Sequence, residues 1–216
     1  MLQKTLVVLF VATLFFGAGV TPINVAGSSE QKSENDMGRD AGSLNDGLVA
    51  YWKLDEGNGN IIHDCSGNSN DGTIHGPKWR QGIHNYSLEF DGINDYAIVP
   101  DDPTLNFHKT NKFSISLWIK REGVLITHDE VLVSKGTHAY KKGYGVNIKR
   151  KNNTIEFYVK GGGKEFTCYS SIDLYDNLWY YVTAVWDGHA QRIYINGELN
   201  NFKNLSDFTI DDDHKA

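Results

Sequence analysis

The chain has 216 residues and a formal net charge of −6, from 21 Lys and Arg against 27 Asp and Glu. This mildly acidic sequence has no basic stripe, so we expect no nucleic-acid partner. Aromatic residues make up 12% of it, and 22 glycines outnumber 4 prolines. That composition is typical of short strands joined by glycine turns.

The N-terminus predicts a secretory signal peptide over residues 1–27. Lys4 supplies a positive charge, the stretch 5–16 is apolar, and Val25-Ala26-Gly27 is an acceptable cleavage site. An uncleaved membrane anchor is the alternative, but the apolar run ends by Val20 and is shorter than the roughly 20 residues of a spanning helix. We therefore expect a secreted or cell-surface protein with no membrane insertion after cleavage.

Residues 28–46 are predicted to be a flexible leader, because they are polar, lack aromatics and show no apolar period. The folded domain is then 47–216. Its length of roughly 170 residues is enough for one substantial core. We expect it to be a monomeric module.

From Leu48 onward, strand patterns alternate with turns. The clearest strand is 113–120, with only apolar side chains on one face and Ser114, Ser116 and Trp118 on the other. The other predicted strands are 48–54, 86–90, 96–99, 131–135, 144–150, 154–160, 180–186 and 192–195.

Two Asx-Gly pairs, Asp187-Gly188 and Asn196-Gly197, predict tight hairpin turns on either side of the strand 192–195. No helical period of useful length follows the signal peptide. The expected fold is therefore all-β, a two-sheet antiparallel sandwich or jelly roll.

Several motifs carry a family resemblance. These are Phe113-Ser-Ile-Ser-Leu-Trp-Ile, Leu132-Val-Ser-Lys-Gly, Leu178-Trp-Tyr-Tyr-Val-Thr-Ala-Val-Trp-Asp-Gly and Arg192-Ile-Tyr-Ile-Asn-Gly. In this order and spacing they resemble the laminin-G-like jelly-roll family of the concanavalin A-like lectin and glucanase superfamily. The resemblance covers about residues 47 to 200 and implies that fold.

The resemblance also implies two further strands after residue 200, where this chain is polar and acidic. We therefore expect the domain to lack its last strands through C-terminal truncation. The alternative is that 208–210 forms a short final strand and the domain is complete.

The loop 64–72 and the turn 91–95 are rich in Asp, Asn and Gly, whose oxygens suit Ca²⁺. The resemblance implies one structural calcium, with Asp64, Asn68, Asp91 and Asp95 as its predicted ligands. An EF-hand is excluded, because Ser69 and His75 stand where its glycine and glutamate belong. Ordinary turn chemistry is the alternative, since the same residue types make tight turns.

Two cysteines, Cys65 and Cys168, are predicted to form a disulfide, because an exported protein meets an oxidising compartment. The alternative is two separate thiols. Sequence separation does not decide between them.

No catalytic pattern stands out. Glycoside hydrolysis needs two carboxylates across a cleft, and the nearest pair, Glu89 and Asp91, has its second member in an Asp-Gly turn. The residues that could stack on sugar rings are Trp79, Tyr140, Tyr144, Tyr158 and Tyr169, with core packing as the alternative for each.

These observations predict a non-catalytic recognition module that binds a glycan or an extracellular protein. The alternative is an ancillary domain of a larger secreted enzyme or adhesin. A free-standing glycoside hydrolase is disfavoured.

Overall fold

The computed structural model describes residues 5–9, 47–109, 111–122, 128–136, 143–175, 177–205 and 208–211. Fourteen strands and one short 3-10 helix, Pro103–Leu105, make up its regular structure. The strands are β1 (Thr5–Leu9), β2 (Ile61–Ile62), β3 (Gly72–His75), β4 (Lys78–Gln81), β5 (Tyr86–Phe90), β6 (Tyr96–Ile98), β7 (Phe113–Glu122), β8 (Glu130–Lys135), β9 (Gly143–Ile148), β10 (Ile155–Gly161), β11 (Lys164–Tyr169), β12 (Trp179–Trp186), β13 (Ala190–Ile195) and β14 (Glu198–Asn204).

All strand pairs are antiparallel, and the strands form three sheets. A seven-stranded sheet has the order β14-β13-β12-β7-β1-β5-β4, a four-stranded sheet has the order β11-β10-β9-β8, and β2-β3-β6 form a small third sheet. The predicted all-β jelly-roll class is confirmed. The third sheet is an addition to the predicted pair.

β7 is the central strand of the core, as its alternation predicts. Phe113, Ile115, Leu117 and Ile119 are 0–1% exposed and point into the hydrophobic cluster. Burying such side chains contributes roughly 1.5–3 kcal/mol each. The same alternation sends Trp118 to the opposite face of the sheet, where it packs against Tyr181.

The seven-stranded and four-stranded sheets face each other across this core. Phe113 of β7 meets Phe157 of β10 edge-on, with 5.9 Å between ring centroids. Gln191 of β13 donates from Nε2 to the carbonyl of Phe157 at 2.9 Å, a buried hydrogen bond between the two sheets. The apolar inner faces therefore leave the other face of each sheet for polar and aromatic side chains.

The predicted strand 48–54 is not regular. Its one ladder contact is an isolated bridge from Trp52 to Asp64, and Leu54 has a positive φ of 55°. The Val49 carbonyl accepts hydrogen bonds from loop side chains, which takes the place of a neighbouring strand. The apolar pattern therefore indicated burial and not a strand, since Val49, Ala50, Trp52 and Leu54 all lie in the core.

The segment 208–210 also forms no strand, although Phe208 and Ile210 are buried. Asn111 holds it in place by donating from Nδ2 to the Phe208 carbonyl at 2.7 Å. Side-chain burial at the core edge thus occurs here without a strand ladder.

At the N-terminus, β1 pairs with both β5 and β7 in the seven-stranded sheet. Sequence predicted that residues 1–27 stand outside the fold as a signal peptide. A short apolar run satisfies both a signal h-region and a buried strand, so the pattern alone does not separate them. Signal cleavage stays a prediction, and the leader 28–46 lies outside the described residues.

The three-residue turn at Pro103 is the only helix in the part of the chain that the structure describes, so that part contains no candidate for a membrane-spanning helix.

Candidate functional site

Asp64 organises the loop that follows β2. Its Oδ1 accepts from the Tyr51 and Ser66 amides, both at 2.9 Å. Its Oδ2 accepts from the Ser66 hydroxyl at 2.7 Å and from the Asn70 amide at 2.9 Å. Four donors occupy the roughly four lone-pair sites of a carboxylate.

Asn68 and Asn70 attach this loop to the segment before it. The Asn68 side-chain amide donates to the Leu48 and Val49 carbonyls, each at 3.0 Å. Buried Asn70 donates to the same Val49 carbonyl at 3.0 Å and also to Thr104. These bonds replace the ladder that residues 48–54 lack.

Asp91 and Asp95 build a second, separate turn. Asp91 Oδ1 accepts from the amides of Ile93, Asn94 and Asp95, and Asp95 Oδ2 accepts from the Asp91 amide at 2.9 Å. The backbone amides, with that of Ile93 first, lower the pKa of Asp91 below its usual value.

The four predicted calcium ligands thus fall into two loops, each closed by its own hydrogen bonds. Among the described residues, no group of three or more His, Cys, Asp or Glu is arranged to hold a metal ion. Asp64 does not fit a calcium ligand, because protein donors already use both of its oxygens. Asp91 Oδ2 and Asp95 Oδ1 fit better, since neither is used in the hydrogen bonds of the turn. Calcium binding stays a prediction.

The predicted disulfide is not formed. Cys65 is an exposed free thiol in the Asp64 loop, and Cys168 is a buried free thiol on β11 opposite Phe157. Cys65 is anchored to the chain before β2, because its amide donates to the Tyr51 carbonyl at 2.8 Å. Each cysteine therefore belongs to a different structural unit, and the alternative of two separate thiols is the one observed.

A row of side chains crosses the outer face of the four-stranded sheet. Strand register places Val131, Asn147, Glu156 and Tyr169 side by side on β8, β9, β10 and β11, and we call these four residues the polar row. Their neighbours along β10, Ile155 and Phe157, are fully buried and point into the core. The alternation of a strand therefore turns the row away from the core.

Glu156 is the centre of the polar row. It is only 6% exposed, and it accepts from Asn147 Nδ2 at 2.8 Å and lies 3.5 Å from Lys149 Nζ. It also hydrogen-bonds Tyr169, whose pKa is raised first by partial burial and then by the Glu156 charge. Among the described residues, no donor reaches the buried Oδ1 of Asn147. The row therefore holds one unused acceptor beside a fixed carboxylate.

The two ends of the polar row are apolar and open. Val131 is 60% exposed and Tyr169 is 44% exposed. A flat ring at one edge and polar groups in the middle form a surface of the kind that binds ring-shaped polar ligands.

A second tyrosine, Tyr158, lies two residues after Glu156 on β10, on the same face of the sheet. Tyr158 pairs with Gly145, and a Cβ at position 145 would lie 2.4 Å from the Tyr158 hydroxyl, so only glycine leaves room for this ring. Lys160 places its Nζ 4.5 Å from the centre of the same ring. Burial, then the charges of Glu165 and Glu156, raises the pKa of Tyr158 to about 12.

A family model described as the concanavalin A-like lectin/glucanases superfamily matches residues 91–214, more than half of the chain. The chain belongs to this family. The laminin-G-like resemblance predicted from its motifs is confirmed.

The solved structures that are similar to the chain include the following three. The first is domain 4 of AbnA, a GH43 extracellular arabinanase from Geobacillus stearothermophilus in complex with arabinotriose, at 18% identity and a TM-score of 0.54, covering 68% of this chain and 71% of that one. The others are the carbohydrate binding module CBM66 from Bacillus subtilis (16%, TM-score 0.41, 64% and 81% covered) and an S-layer domain-containing protein from Clostridium thermocellum (20%, 0.41, 77% and 82%). At these identities the likeness to domain 4 shows the fold alone. No curated protein matches the sequence.

The predicted sugar-stacking residues lie in different parts of this lectin-like fold. Tyr158 and Tyr169 share the outer face of the four-stranded sheet. Tyr144 is buried and donates its hydroxyl to the Leu105 carbonyl, while Trp79 packs on the core and donates to the Gly59 carbonyl. Tyr140 lies outside the described residues.

The predicted sugar-stacking residues did not include Trp118, Tyr181 or Trp179. Trp118 and Tyr181 pack together on the outer face of the seven-stranded sheet, with their rings tilted by 40° and 5.2 Å between centroids, and Lys120 lies over Trp179. The sequence did indicate the position of Trp118. Side chains alternate along β7, so Trp118 lies on the face of the sheet away from the core-facing Ile119.

The two carboxylates nearest to a catalytic pattern, Glu89 and Asp91, already have partners within the protein. Glu89 forms an ion pair with Arg80 at 2.7 Å, and Asp91 is used in its turn. Glu89 is therefore engaged by a cation, whereas Asp91 keeps Oδ2 outside the hydrogen bonds of its turn.

Proposed function

We propose that this chain is a non-catalytic carbohydrate-binding domain of an exported protein, and that it holds its glycan on the polar row. The observation that carries the proposal is the order of groups across β8 to β11. An exposed aromatic ring and an exposed valine flank an amide and a carboxylate.

Sugar chemistry matches that order. The C–H face of a sugar ring packs on a flat aromatic side chain such as Tyr169, and its hydroxyls exchange hydrogen bonds with fixed polar groups. Asn147 Oδ1 has no donor among the described residues and is buried, so a ligand hydroxyl would reach it only after its neighbours move. Glu156 is already held by Asn147, Lys149 and Tyr169, so it orients its neighbours and needs little reorganisation on binding.

Charge on this face favours a neutral glycan over an acidic one. Lys149 pairs with Asp129 and Glu156, and Lys160 pairs with Glu165 at 3.2 Å. Each cation is thus matched by carboxylates of the same face, which repel the carboxylate of a uronic acid.

The ancillary role is supported by the likeness to domain 4 of the AbnA arabinanase, which was solved with arabinotriose. The predicted signal peptide supports a location outside the cell. We favour a glycan over an extracellular protein as the partner, because an exposed aromatic ring beside fixed polar groups suits a sugar.

The test is calorimetric titration of the chain with arabinotriose and a panel of neutral and uronic-acid oligosaccharides. We expect a neutral member to bind, and Tyr169→Ala to weaken that binding by about tenfold, or about 1.4 kcal/mol. Tyr169→Phe keeps the ring and should stay within about threefold of the parent.

The matched control is Tyr96→Ala. Tyr96 is 51% exposed and lies on β6 of the third sheet, where it stacks on His75. Its replacement should leave glycan affinity unchanged. Absence of binding to every neutral glycan, or equal losses in the Tyr169 and Tyr96 variants, contradicts the proposal. Release of reducing ends from a bound glycan contradicts its non-catalytic part.

A further inference from the structure

The polar row runs across the strands of the four-stranded sheet and not along them. It takes one residue from each of four neighbouring strands, so the backbones at Val131 and Tyr169 stand three strand spacings apart, roughly 14 Å. A single sugar ring is shorter than this distance. A sugar chain that lies along one strand would meet one position of the row, whereas a chain that lies across the strands meets all four.

Tyr158 flanks the polar row on one of its long sides. It follows Glu156 by two residues on β10, and its hydroxyl lies over Gly145 of β9, where a Cβ would be 2.4 Å from the hydroxyl oxygen. The ring therefore extends from β10 to β9, in the same direction as the row. Lys160 lies over the same ring, so this flank is held in place by the protein itself.

An ion pair flanks the polar row on the other long side. Lys149 Nζ lies 2.5 Å from Asp129 Oδ2 and 3.5 Å from Glu156 Oε1, and the Arg150 amide donates to Asp129 Oδ1 at 2.9 Å. The side chains of Lys149 and Asp129 stay 28% and 40% exposed, so they offer a fixed donor and a fixed acceptor to ligand hydroxyls. The Arg150 amide and then Lys149 lower the pKa of Asp129, which keeps this acceptor charged. We call the polar row, Tyr158 and this ion pair together the cross-strand channel.

Both ends of the cross-strand channel are open. Val131 and Tyr169 lie on the edge strands of the four-stranded sheet, β8 and β11, and both side chains are exposed. Asn201 of β14 reaches the Tyr169 backbone, where it donates to the carbonyl at 2.8 Å, and it leaves the ring exposed. A surface that is flanked along its sides and open at its ends accepts the interior of a chain, whereas a pocket closed at one end selects a chain terminus.

We propose that the cross-strand channel binds the interior of a linear neutral glycan, with the sugar chain lying perpendicular to the strands. One unit stacks on Tyr169, the following units exchange hydrogen bonds with Lys149 and Asp129, and a later unit packs its C–H face on Val131. The proposal rests on the glycan binding proposed above, and it adds the class of glycan and the direction in which it lies.

The first test is calorimetric titration with linear arabino-, xylo- and cello-oligosaccharides of one to five units. In a series that binds, we expect affinity to rise by at least about tenfold between two units and four, because the added units reach the Val131 end of the channel. Reduction of the terminal sugar of the five-unit ligand to its alditol should change affinity by less than about threefold, since no terminus is recognised.

The second test removes the apolar contact at the β8 end. Val131→Ala should weaken binding of the four-unit ligand by at least about threefold and leave binding of the two-unit ligand unchanged, whereas Tyr169→Ala should weaken both. Ile98→Ala is the matched control. Ile98 is another exposed β-branched side chain, 54% exposed on β6 of the third sheet, and its replacement should leave every affinity unchanged.

The outcomes separate this inference from the proposed function. Equal affinity at every length, or loss of binding when the terminal sugar is reduced, overturns recognition of a chain interior and leaves glycan binding in place. Equal effects of Val131→Ala and Ile98→Ala on the four-unit ligand also overturn it. Absence of binding in all three series overturns both proposals.

Discussion

At the scale of single residues, thiol chemistry follows burial. Cys65 lies on an exposed loop, with its Sγ 3.9 Å from the His63 carbonyl, whereas Cys168 faces the core. Burial is also the main cause that raises the pKa of Cys168 above its usual value, with smaller opposing effects from Lys203 and a backbone hydrogen bond. Burial and the raised pKa both disfavour reaction at Cys168, and access to solvent favours Cys65.

We predict that native protein reacts with one equivalent of a thiol-specific disulfide reagent and denatured protein with two. The fast reaction should disappear in Cys65→Ser and persist in Cys168→Ser. Mass spectrometry before and after reduction provides the control, because a disulfide would add two hydrogens on reduction. A native protein with no reactive thiol would contradict the prediction.

The outer face of the four-stranded sheet disfavours a negative charge on Tyr158. Its pKa is raised to about 12 in the folded protein, from 10.0, by burial and by Glu165 and Glu156. Since the folded-state value lies above the unfolded one, the neutral phenol contributes stability fully below pH 10. That contribution is lost as pH rises through about 12.

We predict that alkaline titration at the phenolate absorbance band shows a late component that is smaller by one tyrosine in Tyr158→Phe, with Tyr169, whose pKa is also raised, still present. Identical late steps in the parent and in Tyr158→Phe would contradict the raised pKa.

At the scale of elements, the hairpin turn between β13 and β14 could be predicted from the sequence. Asn196 and Gly197 have φ angles of 53° and 88°, as a primed two-residue turn requires, and they join β13 to β14. Asn196 also binds across the sheet, because its Oδ1 accepts from the Tyr181 amide at 2.9 Å. The turn thus fixes both the hairpin and its position beside β12.

We predict that Gly197→Ala lowers the free energy of unfolding by about 1–2 kcal/mol, since an L side chain is strained at that φ. Glu198→Ala, at the exposed first position of β14, should change it by less than about 0.5 kcal/mol. Urea unfolding midpoints measure both. Equal effects of the two changes would mean that the turn does not require its glycine.

Other elements could not be predicted, for physical reasons. Alternation identified β7 and β12, whose two faces differ in polarity. It failed for 48–54, where consecutive positions are buried and side chains of the 66–70 loop satisfy the backbone. It also gave no sign of β3 or β4, since such short strands depend on pairing partners distant in the chain.

At the scale of the whole molecule, the candidate site illustrates the same limit. Tyr158 and Tyr169 were candidates from their residue type, but the polar row exists only through the registers of β8 with β9, β9 with β10 and β10 with β11. Single-strand patterns place a residue on a face. They do not say which residue of the neighbouring strand stands beside it.

Calcium binding would change the stability of the molecule as a whole. If the turn 91–95 binds it, the ion stabilises the native state in proportion to the logarithm of its concentration over Kd. Extracellular modules bind calcium with a Kd of about 0.1–1 mM, so about 2 mM CaCl2 contributes roughly 0.7–1.8 kcal/mol. For a domain of this size that corresponds to a rise in Tm of roughly 1–7 °C.

We predict such a rise in CaCl2 relative to EGTA, and its loss in Asp91→Asn, because Asp91 keeps one carboxylate oxygen outside the hydrogen bonds of its turn. Asp64→Asn serves as the comparison. It should lower Tm equally in CaCl2 and EGTA, because the four donors to Asp64 make its role structural. If calcium gives no rise in a cooperatively unfolding sample, both loops are turns alone. If Asp64→Asn removes the rise, the ion binds in the Asp64 loop and displaces donors that the carboxylate now accepts.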